Sequence, residues 1–226
     1  MANEVSPTTQ NFFEKYGKAA TLSSIIGRLL RFNKFGEYRA GQDDEEIPCG
    51  TKMVAYMNSL CVGYQCWKDG RPAGMAMGPI AEGFVPPKRE TLGDLDKSQW
   101  ETFDDGREKD PWQFTNTIVL ALLEDTSELF TFSVSSKGGL NAIAQLALKY
   151  GERLRQKPDE APVFELQVGS YQHPNRSYGE IRFPILKIID WIPTKDLPPL
   201  DGGEQLDLLP GDGKGGAGGA HARTGF

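Results

Sequence analysis

One segment in the body of this chain has the hydrophobic period of an α-helix, whereas the segments around it have the period of β-strands. Over residues 139–156, apolar side chains recur every three to four positions and polar side chains take the opposite side. Just before this segment, Phe130, Phe132 and Val134 alternate with polar residues, as in a half-buried strand. One amphipathic helix among several strands favours a mainly β fold of the α+β class, with a single helix.

The turn that leads into this helix combines serines, a lysine and two glycines at residues 135–139. A Walker loop requires lysine after its last glycine, and a dinucleotide loop requires G-x-G-x-x-G; neither spacing is present. The serines instead predict a helix N-cap, and the glycines predict a sharp turn. Lys137 can still attract an anion to the helix N-terminus, so it is kept as a candidate binding residue.

Composition narrows the class of protein. The chain is 38% hydrophobic and 25% charged, which is ordinary for a globular domain. No apolar run approaches the roughly 18–20 residues of a membrane span, and the start has no apolar signal region, so we expect no membrane partner. Three cysteines, Cys49, Cys61 and Cys66, indicate no disulfide framework, which favours a cytoplasmic location.

Charge is unevenly distributed along the chain. The net charge is -6, and residues 41–128 carry seventeen acidic against eight basic side chains. Residues 1–40 and 129–195 each carry three more basic than acidic side chains. A protein with this net charge binds a polyanion only through a local basic face. The two flanking segments can supply such a face, or their charges can belong to an ordinary solvated surface without function.

The chain divides into a body and two ends. Residues 1–20 are predicted to be a flexible N-terminal arm, and the Gly/Pro-rich residues 198–226 a disordered tail. The tail contains the acidic-apolar segment EQLDLLP, residues 204–210, which is interpreted either as a docking motif or as part of an inert solubilising tail. The body, residues 21–197, is predicted to be one domain.

The order of elements in the body predicts an oligonucleotide-binding (OB) type of fold, a five-stranded barrel. A hairpin at residues 52–68 and the long loop that runs to Trp112 would be inserted between its first and second strands. The hairpin is expected to turn at Asn58-Ser59, and its second strand to end at an Asp69-Gly70 turn. Pro184, inside the last strand, demands an edge position or a bulge. The predicted strands and helix, in order, are residues 21–35, 113–125, 129–136, the helix at 139–156, 163–171 and 179–192.

Three stretches of the body interleave aromatic and basic residues, the combination that binds single-stranded nucleic acid through base stacking and phosphate contacts. Together with Lys137, the candidate residues of these stretches are Arg28, Arg31, Phe32, Lys34, Phe35, Tyr38 and Arg39; Tyr64, Trp67, Lys68 and Arg71; and Tyr171, Arg176, Tyr178 and Arg182. Aromatic residues in strands are more often core residues than stacking platforms, so some of this set is expected to be buried.

No catalytic arrangement emerges from the sequence. Of the two histidines, His221 lies in the predicted tail and His173 in a turn, without a nucleophile or carboxylate at a recognisable spacing. A zinc site made of the three cysteines and His173 lacks the paired spacing of such sites. We therefore predict a protein that is not an enzyme and that has no cofactor and no metal.

The element order, the single small domain and the tail ending in Phe226 resemble phage-type single-stranded DNA-binding proteins. This resemblance implies an OB fold, single-stranded DNA as ligand and a bacterial host's cytoplasm as location. It also implies a role in phage or prophage DNA replication or recombination, with replication or recombination proteins recruited by an acidic tail. Here the acidic part of the tail, residues 201–212, lies well before the end, and the last residues include Arg223.

Two other functions remain open. The first is a phage structural or protein-interaction β-domain that uses the loop at residues 73–112 to bind another protein. The second is a small nuclease or nucleotide-handling enzyme, which would need clustered carboxylates in a cleft. The oligomeric state stays open as well, a homo-oligomer included.

Overall fold

The protein is described here by a computed structural model that covers residues 25–103 and 106–200. Within these residues the chain is mainly β with one α-helix, which confirms the predicted class. The predicted arm at residues 1–20 and tail residues 201–226 lie outside the described residues. The first three tail residues, 198–200, are described, and the hydroxyl of Tyr56 donates a hydrogen bond of 3.0 Å to the carbonyl of Pro198.

Nine strands form one sheet in the order β11-β10-β4-β8-β9-β1-β2-β3, with β5 paired to β4 off this path. Two further short strands, β6 and β7, form a separate hairpin. The helix, α1, spans Lys137–Leu154. The strands are β1 (Arg28–Phe32), β2 (Tyr38–Ala40), β3 (Glu45–Ile47), β4 (Lys52–Lys68), β5 (Arg71–Pro79), β6 (Glu101–Thr102), β7 (Glu108–Lys109), β8 (Trp112–Leu122), β9 (Leu129–Val134), β10 (Glu160–Gln172) and β11 (Glu180–Pro193).

The long strand β4 lies at the centre of this sheet. It pairs with β5, β8 and β10, whereas the sequence suggested an inserted hairpin that turns at Asn58 and Ser59. The register with β8 shifts between Tyr56 and Cys61, so the strand bulges there instead of reversing. Ser59 stabilises the bulge, because its hydroxyl donates to the Tyr56 carbonyl at 2.6 Å and accepts from the Val119 N–H at 2.8 Å. The reversal comes later, at Asp69 and Gly70, as predicted.

The sheet curls around a single main core. The Tyr38 hydroxyl in β2 donates a hydrogen bond of 2.8 Å to the Gln167 carbonyl in β10, and the Arg182 guanidinium in β11 donates one of 2.7 Å to the Phe35 carbonyl in the turn before β2. The two ends of the strand order therefore lie close together. The largest side chains with almost no exposure are Tyr38, Phe130, Phe132, Phe164, Leu30, Met53, Ile118, Leu120, Ile143, Leu146 and Leu166.

The helix α1 begins at the predicted cap and lies along the edge strand β11. The Ser136 hydroxyl accepts a hydrogen bond of 3.2 Å from the Gly139 N–H, which confirms the helix cap inferred from the serines. A Cβ on Gly138 would lie 2.7 Å from the Cβ of Phe183, so the close approach of helix and strand requires glycine. Pro184 lies in β11 at the sheet edge, where its missing N–H is tolerated as predicted.

Candidate nucleic-acid interface

The three arginines of the first predicted cluster are paired with carboxylates. β3 and the residue just before it supply several of these acids, because β2 pairs with β3 and brings its acidic residues beside β1 and β2. A phosphate would have to compete with these carboxylates for each guanidinium. The ion pairs are Arg28 with Glu45 and Glu128, Arg31 with Asp44, and Arg39 with Glu37 and Glu46.

Two aromatic residues of the same cluster belong to the interior. Tyr38 has no exposed surface, and its hydroxyl donates a hydrogen bond of 2.8 Å to the Gln167 carbonyl. Burial raises the pKa of this hydroxyl well above its usual range. Phe32 is half-buried and packs edge-on against Tyr38, with ring centroids 4.9 Å apart. Tyr38 in particular is inaccessible to a ligand.

The turn between β1 and β2 is accessible, in contrast. Phe35 is 61% exposed, and the Lys34 ammonium lies 5.2 Å from the centre of its ring. Arg182, in β11, donates a hydrogen bond of 2.7 Å to the Phe35 carbonyl. Arg182 also forms an ion pair with Glu180 at 3.3 Å. The first and third predicted clusters therefore meet at this turn.

The end of β10 and its connection to β11 carry the other members of the third cluster. Tyr171 and Tyr178 are 49% and 43% exposed, and the ring of His173 packs edge-on against Tyr178 at 4.8 Å. Arg176 is exposed and forms no ion pair with another described residue. Because strand residues rise about 3.3 Å each, this tip lies roughly 10 Å beyond Arg182.

Two residues that sequence reasoning missed complete this surface. The guanidinium of Arg107 lies 5.6 Å from the ring centre of Tyr178 and 5.5 Å from that of Phe103. Phe103 is 44% exposed. Both residues come from the long loop at residues 73–112, which lacks the dense aromatic-basic interleaving of the three clusters. We call Lys34, Phe35, Phe103, Arg107, Tyr171, Arg176, Tyr178 and Arg182 the hairpin-tip surface.

A groove of about 690 Å³ lies between α1 and β11, next to this surface. Lys137, Tyr171 and Arg182 line it, and no Asp or Glu is among its lining residues. Lys137 is exposed and forms no ion pair within the described part of the chain. The structure thus places Lys137 beside the third cluster.

The second predicted cluster lies in a different environment. Trp67 and Lys68 line a groove of about 470 Å³ that also contains four carboxylates. Lys68 forms an ion pair of 2.7 Å with one of them, Asp94, and this hydrogen bond is the main cause of its raised pKa. Tyr64 is half-buried and packs edge-on against Phe114 at 5.2 Å, and Arg71 is exposed. The acidic surroundings make this groove a poor site for a phosphate backbone.

The groups considered for metal binding are not gathered together. Within residues 25–103 and 106–200, no cluster of three or more His, Cys, Asp or Glu side chains is placed to hold a metal ion. Cys49 is exposed, whereas Cys61 and Cys66 are buried. Burial raises the pKa of the Cys61 thiol to about 11, which makes it a poor nucleophile near neutral pH.

Comparison with known proteins returns no relative: no protein-family model, no curated protein and no solved structure matches this chain. In the described part of the chain, no helix combines the length and apolarity that crossing a membrane requires.

Proposed function

We propose that this protein binds single-stranded DNA, without catalysis, through the hairpin-tip surface. Its cations would contact phosphates, and its exposed aromatic rings would stack on bases. Both contacts tolerate any sequence, because every nucleotide has a phosphate and every base has a π-face. A role in phage or prophage DNA replication or recombination rests on the resemblance alone.

The order of the strands and the helix is similar to that of an OB fold, and this similarity supports the proposal. β4, β8, β9, α1, β10 and β11 have the element order of the five-stranded barrel, with β4 as its first strand instead of residues 21–35. Their order in the sheet is β11-β10-β4-β8-β9, and the helix connects β9 to β10. In this reading, β1, β2 and β3 are an addition that continues the sheet beyond β9.

The single observation that carries the proposal is the contact of Arg107 with Tyr178. OB folds bind oligonucleotides with the loops that follow the first and fourth strands. Here those loops are residues 69–111, apart from β5, and residues 173–179. They supply Arg107 and Tyr178 respectively, and the guanidinium lies 5.6 Å from the ring centre. The two loops at these positions of the strand order therefore meet at an exposed aromatic-arginine stack.

Fluorescence anisotropy with labelled oligo-dT tests the proposal. We expect salt-sensitive binding to the single strand and much weaker binding to duplex. Y178A removes one stacking ring and should weaken binding by about 1–3 kcal/mol. R176A removes a phosphate contact and should lower the salt dependence as well as the affinity.

R155A is the matched control for R176A. Arg155 is also exposed and forms no ion pair among the described residues, but it lies at the end of α1, away from the hairpin tip. Its loss should leave the affinity unchanged. If the wild-type protein fails to bind oligo-dT at low salt, or if R155A and R176A weaken binding equally, the proposal is wrong.

A protein-interaction domain is the second candidate function, and exposed apolar residues in the long loop favour it. Val85 is 81% exposed and Leu95 is 55% exposed. Exposed apolar side chains mark a contact surface for another protein where they lie together in one patch. The absence of oligo-dT binding would make this candidate the leading one.

A further inference from the structure

The outer edge of β5 is open to a further strand. β5 pairs with β4 alone, and on its other side no strand of the described residues lies beside it. In the described part of the chain, β5 has one backbone hydrogen bond outside this pairing. It runs from the Phe84 N–H to the Pro79 carbonyl at 3.2 Å, at the very end of the strand. An open edge presents N–H and C=O groups that can pair with another chain.

The direction of one carbonyl shows which residues of β5 face this open edge. The Ala76 carbonyl oxygen points toward β4, since it would lie 2.1 Å from a Cβ on Gly63. In an antiparallel pair, the N–H and C=O of one residue point to the same side, and those of the next residue point to the other side. Met75 and Met77 therefore direct their N–H and C=O groups away from β4, toward the open edge.

The middle of this edge has none of the usual protection against association. Edge strands are normally protected by charged residues, by proline or by a covering element. Residues 72–79 contain no charged side chain, and Met75 is 38% exposed. The prolines of this segment, Pro72 and Pro79, stand at its two ends. The residues between them are free to pair with a strand from another chain.

The sequence of β5 indicates which strand fits this edge. Residues 74–78 are Gly-Met-Ala-Met-Gly, which reads the same in both directions with Ala76 at the centre. Two copies of a strand that pair about a two-fold axis place each residue opposite the mirrored residue of the other copy. An axis at Ala76 places Met75 opposite Met77 of the second copy. Because both methionines face the open edge, the two residues can exchange their backbone hydrogen bonds.

The side chains of β5 are compatible with the same arrangement. Phe84 covers the face of β5 that contains Gly78, since its ring would lie 2.3 Å from a Cβ added there. Met75 and Met77 project from the opposite face, because alternate residues of a strand point to opposite faces. Across the axis, the methionines of two copies would form one apolar cluster of flexible side chains. Ala76 is small, which suits the close approach of two strands at a centre without hydrogen bonds.

We propose that two copies of this chain associate through β5, as an antiparallel strand pair centred on Ala76. The sheets of the two copies then continue into one another. Backbone hydrogen bonds join Met75 of each copy to Met77 of the other, and the methionine side chains pack beside them. The contact is small, so the dimer exchanges with the monomer and is not permanent.

Sedimentation of the full-length protein without nucleic acid tests this association. We expect a monomer–dimer equilibrium for the wild type. M75K places a charge at the open edge and should weaken dimerisation by about tenfold or more. L148K is the matched control, because Leu148 is 55% exposed and lies on α1, and it should dimerise as the wild type does. A wild type that stays monomeric up to roughly 0.5 mM, or equal effects of the two substitutions, overturns the proposal.

Disulfide cross-linking tests the position of the axis. At a centre without hydrogen bonds the two Cα atoms lie about 4.5 Å apart, within the range of a disulfide. Two copies of residue 75 would be diagonal neighbours, roughly 7–8 Å apart and too distant. In a C49S background, which removes the exposed native thiol, mild oxidation should therefore cross-link A76C and leave M75C monomeric. Preferential cross-linking of M75C, or of neither variant, overturns the pair centred on Ala76.

This association is independent of the proposed DNA binding. The residues of β5 are not part of the hairpin-tip surface, and the sedimentation experiment contains no nucleic acid. Failure of the wild type to bind oligo-dT would contradict the proposed function and leave the result on dimerisation intact.

Discussion

At the scale of single residues, the same aromatic side chain type serves two purposes in this protein. Tyr38 and Tyr178 occur in similar aromatic-basic stretches, but the first is completely buried and the second is 43% exposed. The difference is set by β2, which turns the Tyr38 ring into the core. A local sequence window does not contain that information.

Substituting Tyr38 by phenylalanine tests its interior role. The change removes a hydroxyl that donates to the Gln167 carbonyl and keeps the packed ring. We expect the free energy of unfolding to fall by about 0.5–1.5 kcal/mol, the net contribution of a typical hydrogen bond. Urea denaturation measures this loss. The affinity for oligo-dT should be unchanged. If a variant that remains folded binds oligo-dT more weakly, Tyr38 contributes to the nucleic-acid interface.

Gly63 is a second residue whose role is decided by its surroundings. Its φ is 144°, and a Cβ there would lie 2.1 Å from the Ala76 carbonyl oxygen. We expect G63A to destabilise the fold by more than about 2 kcal/mol, because both the backbone and the paired strand β5 must shift. G151A is the matched control, since nothing lies within 4 Å of a Cβ at this position in α1. Thermal melts of both variants measure these effects, and G151A should stabilise the protein by up to about 1 kcal/mol. Equal effects of G63A and G151A would refute the role assigned to Gly63.

At the scale of elements, the strands with clear alternation were predictable, and the irregular ones were not. The segments that became β8, β9, α1, β10 and β11 were located within a few residues of their observed bounds. Asn58 and Ser59 predict a turn at the position where β4 has a bulge. These residues favour a turn and a bulge equally, and only the contact of Ser59 with Val119 distinguishes the two structures. Phe103 and Arg107 were missed because their positions depend on how a long loop folds back, which periodicity does not specify.

Asp94 connects that loop to the strands on either side of it. Its carboxylate accepts hydrogen bonds from the Lys68 ammonium at 2.7 Å and from the Trp112 indole at 2.9 Å. The Trp100 indole donates to its carbonyl at 2.8 Å. The hydrogen bond from Lys68, and then the one from Trp112, lowers the pKa of the Asp94 carboxyl below its usual range. Asp94 therefore holds the loop before β8 against β4 and β8, and the ion pair of Arg89 with Asp110 at 2.7 Å adds a second link within the loop.

The pH dependence of this loop follows from the lowered pKa. A carboxyl whose pKa is lower in the folded state stabilises the fold above its unfolded pKa of about 3.9, and this contribution is lost as pH falls through the folded pKa. We expect the tryptophan emission of the wild type to change below about pH 4. D94N should show an altered emission already at pH 7 and a smaller change on acidification.

D125N is the control for this titration. The pKa of Asp125 is also lowered, by hydrogen bonds from Ser127, but it lies in the turn between β8 and β9. The tryptophan emission of D125N, followed against pH, should match that of the wild type. A D94N profile that is identical to wild type would show that Asp94 does not order the loop.

At the scale of the whole molecule, the distribution of paired and unpaired charges matters more than the net charge of -6. The acidic residues around β3 neutralise the arginines of β1 and β2, whereas Lys34, Lys137 and Arg176 form no ion pair with described residues. The sequence predicted that a basic face must be local, but it could not tell which arginines have acidic partners. That distinction depends on which strands become neighbours.

The salt dependence of oligo-dT binding should therefore reflect these local cations. With about three phosphates neutralised, by Lys34, Arg176 and Arg182 of the hairpin-tip surface, log K against log salt should have a slope near -2, since single strands give about -0.7 per phosphate. Anisotropy titrations between roughly 50 and 300 mM salt measure it. A slope near zero would mean that phosphates are not contacted, and a much steeper slope would mean that arginines such as Arg31 leave their carboxylates on binding.

The central position of β4 has a consequence for synthesis of the chain. Val54 in β4 pairs with Val163 in β10, more than a hundred residues later. At about 5–20 residues per second, a ribosome would need roughly 5–20 s to deliver that partner. During this interval residues 52–54 of β4, which pair with β10, have an open strand edge, which is a template for aggregation. Nascent chains stalled before residue 160 should therefore depend on chaperones far more than chains released after β11.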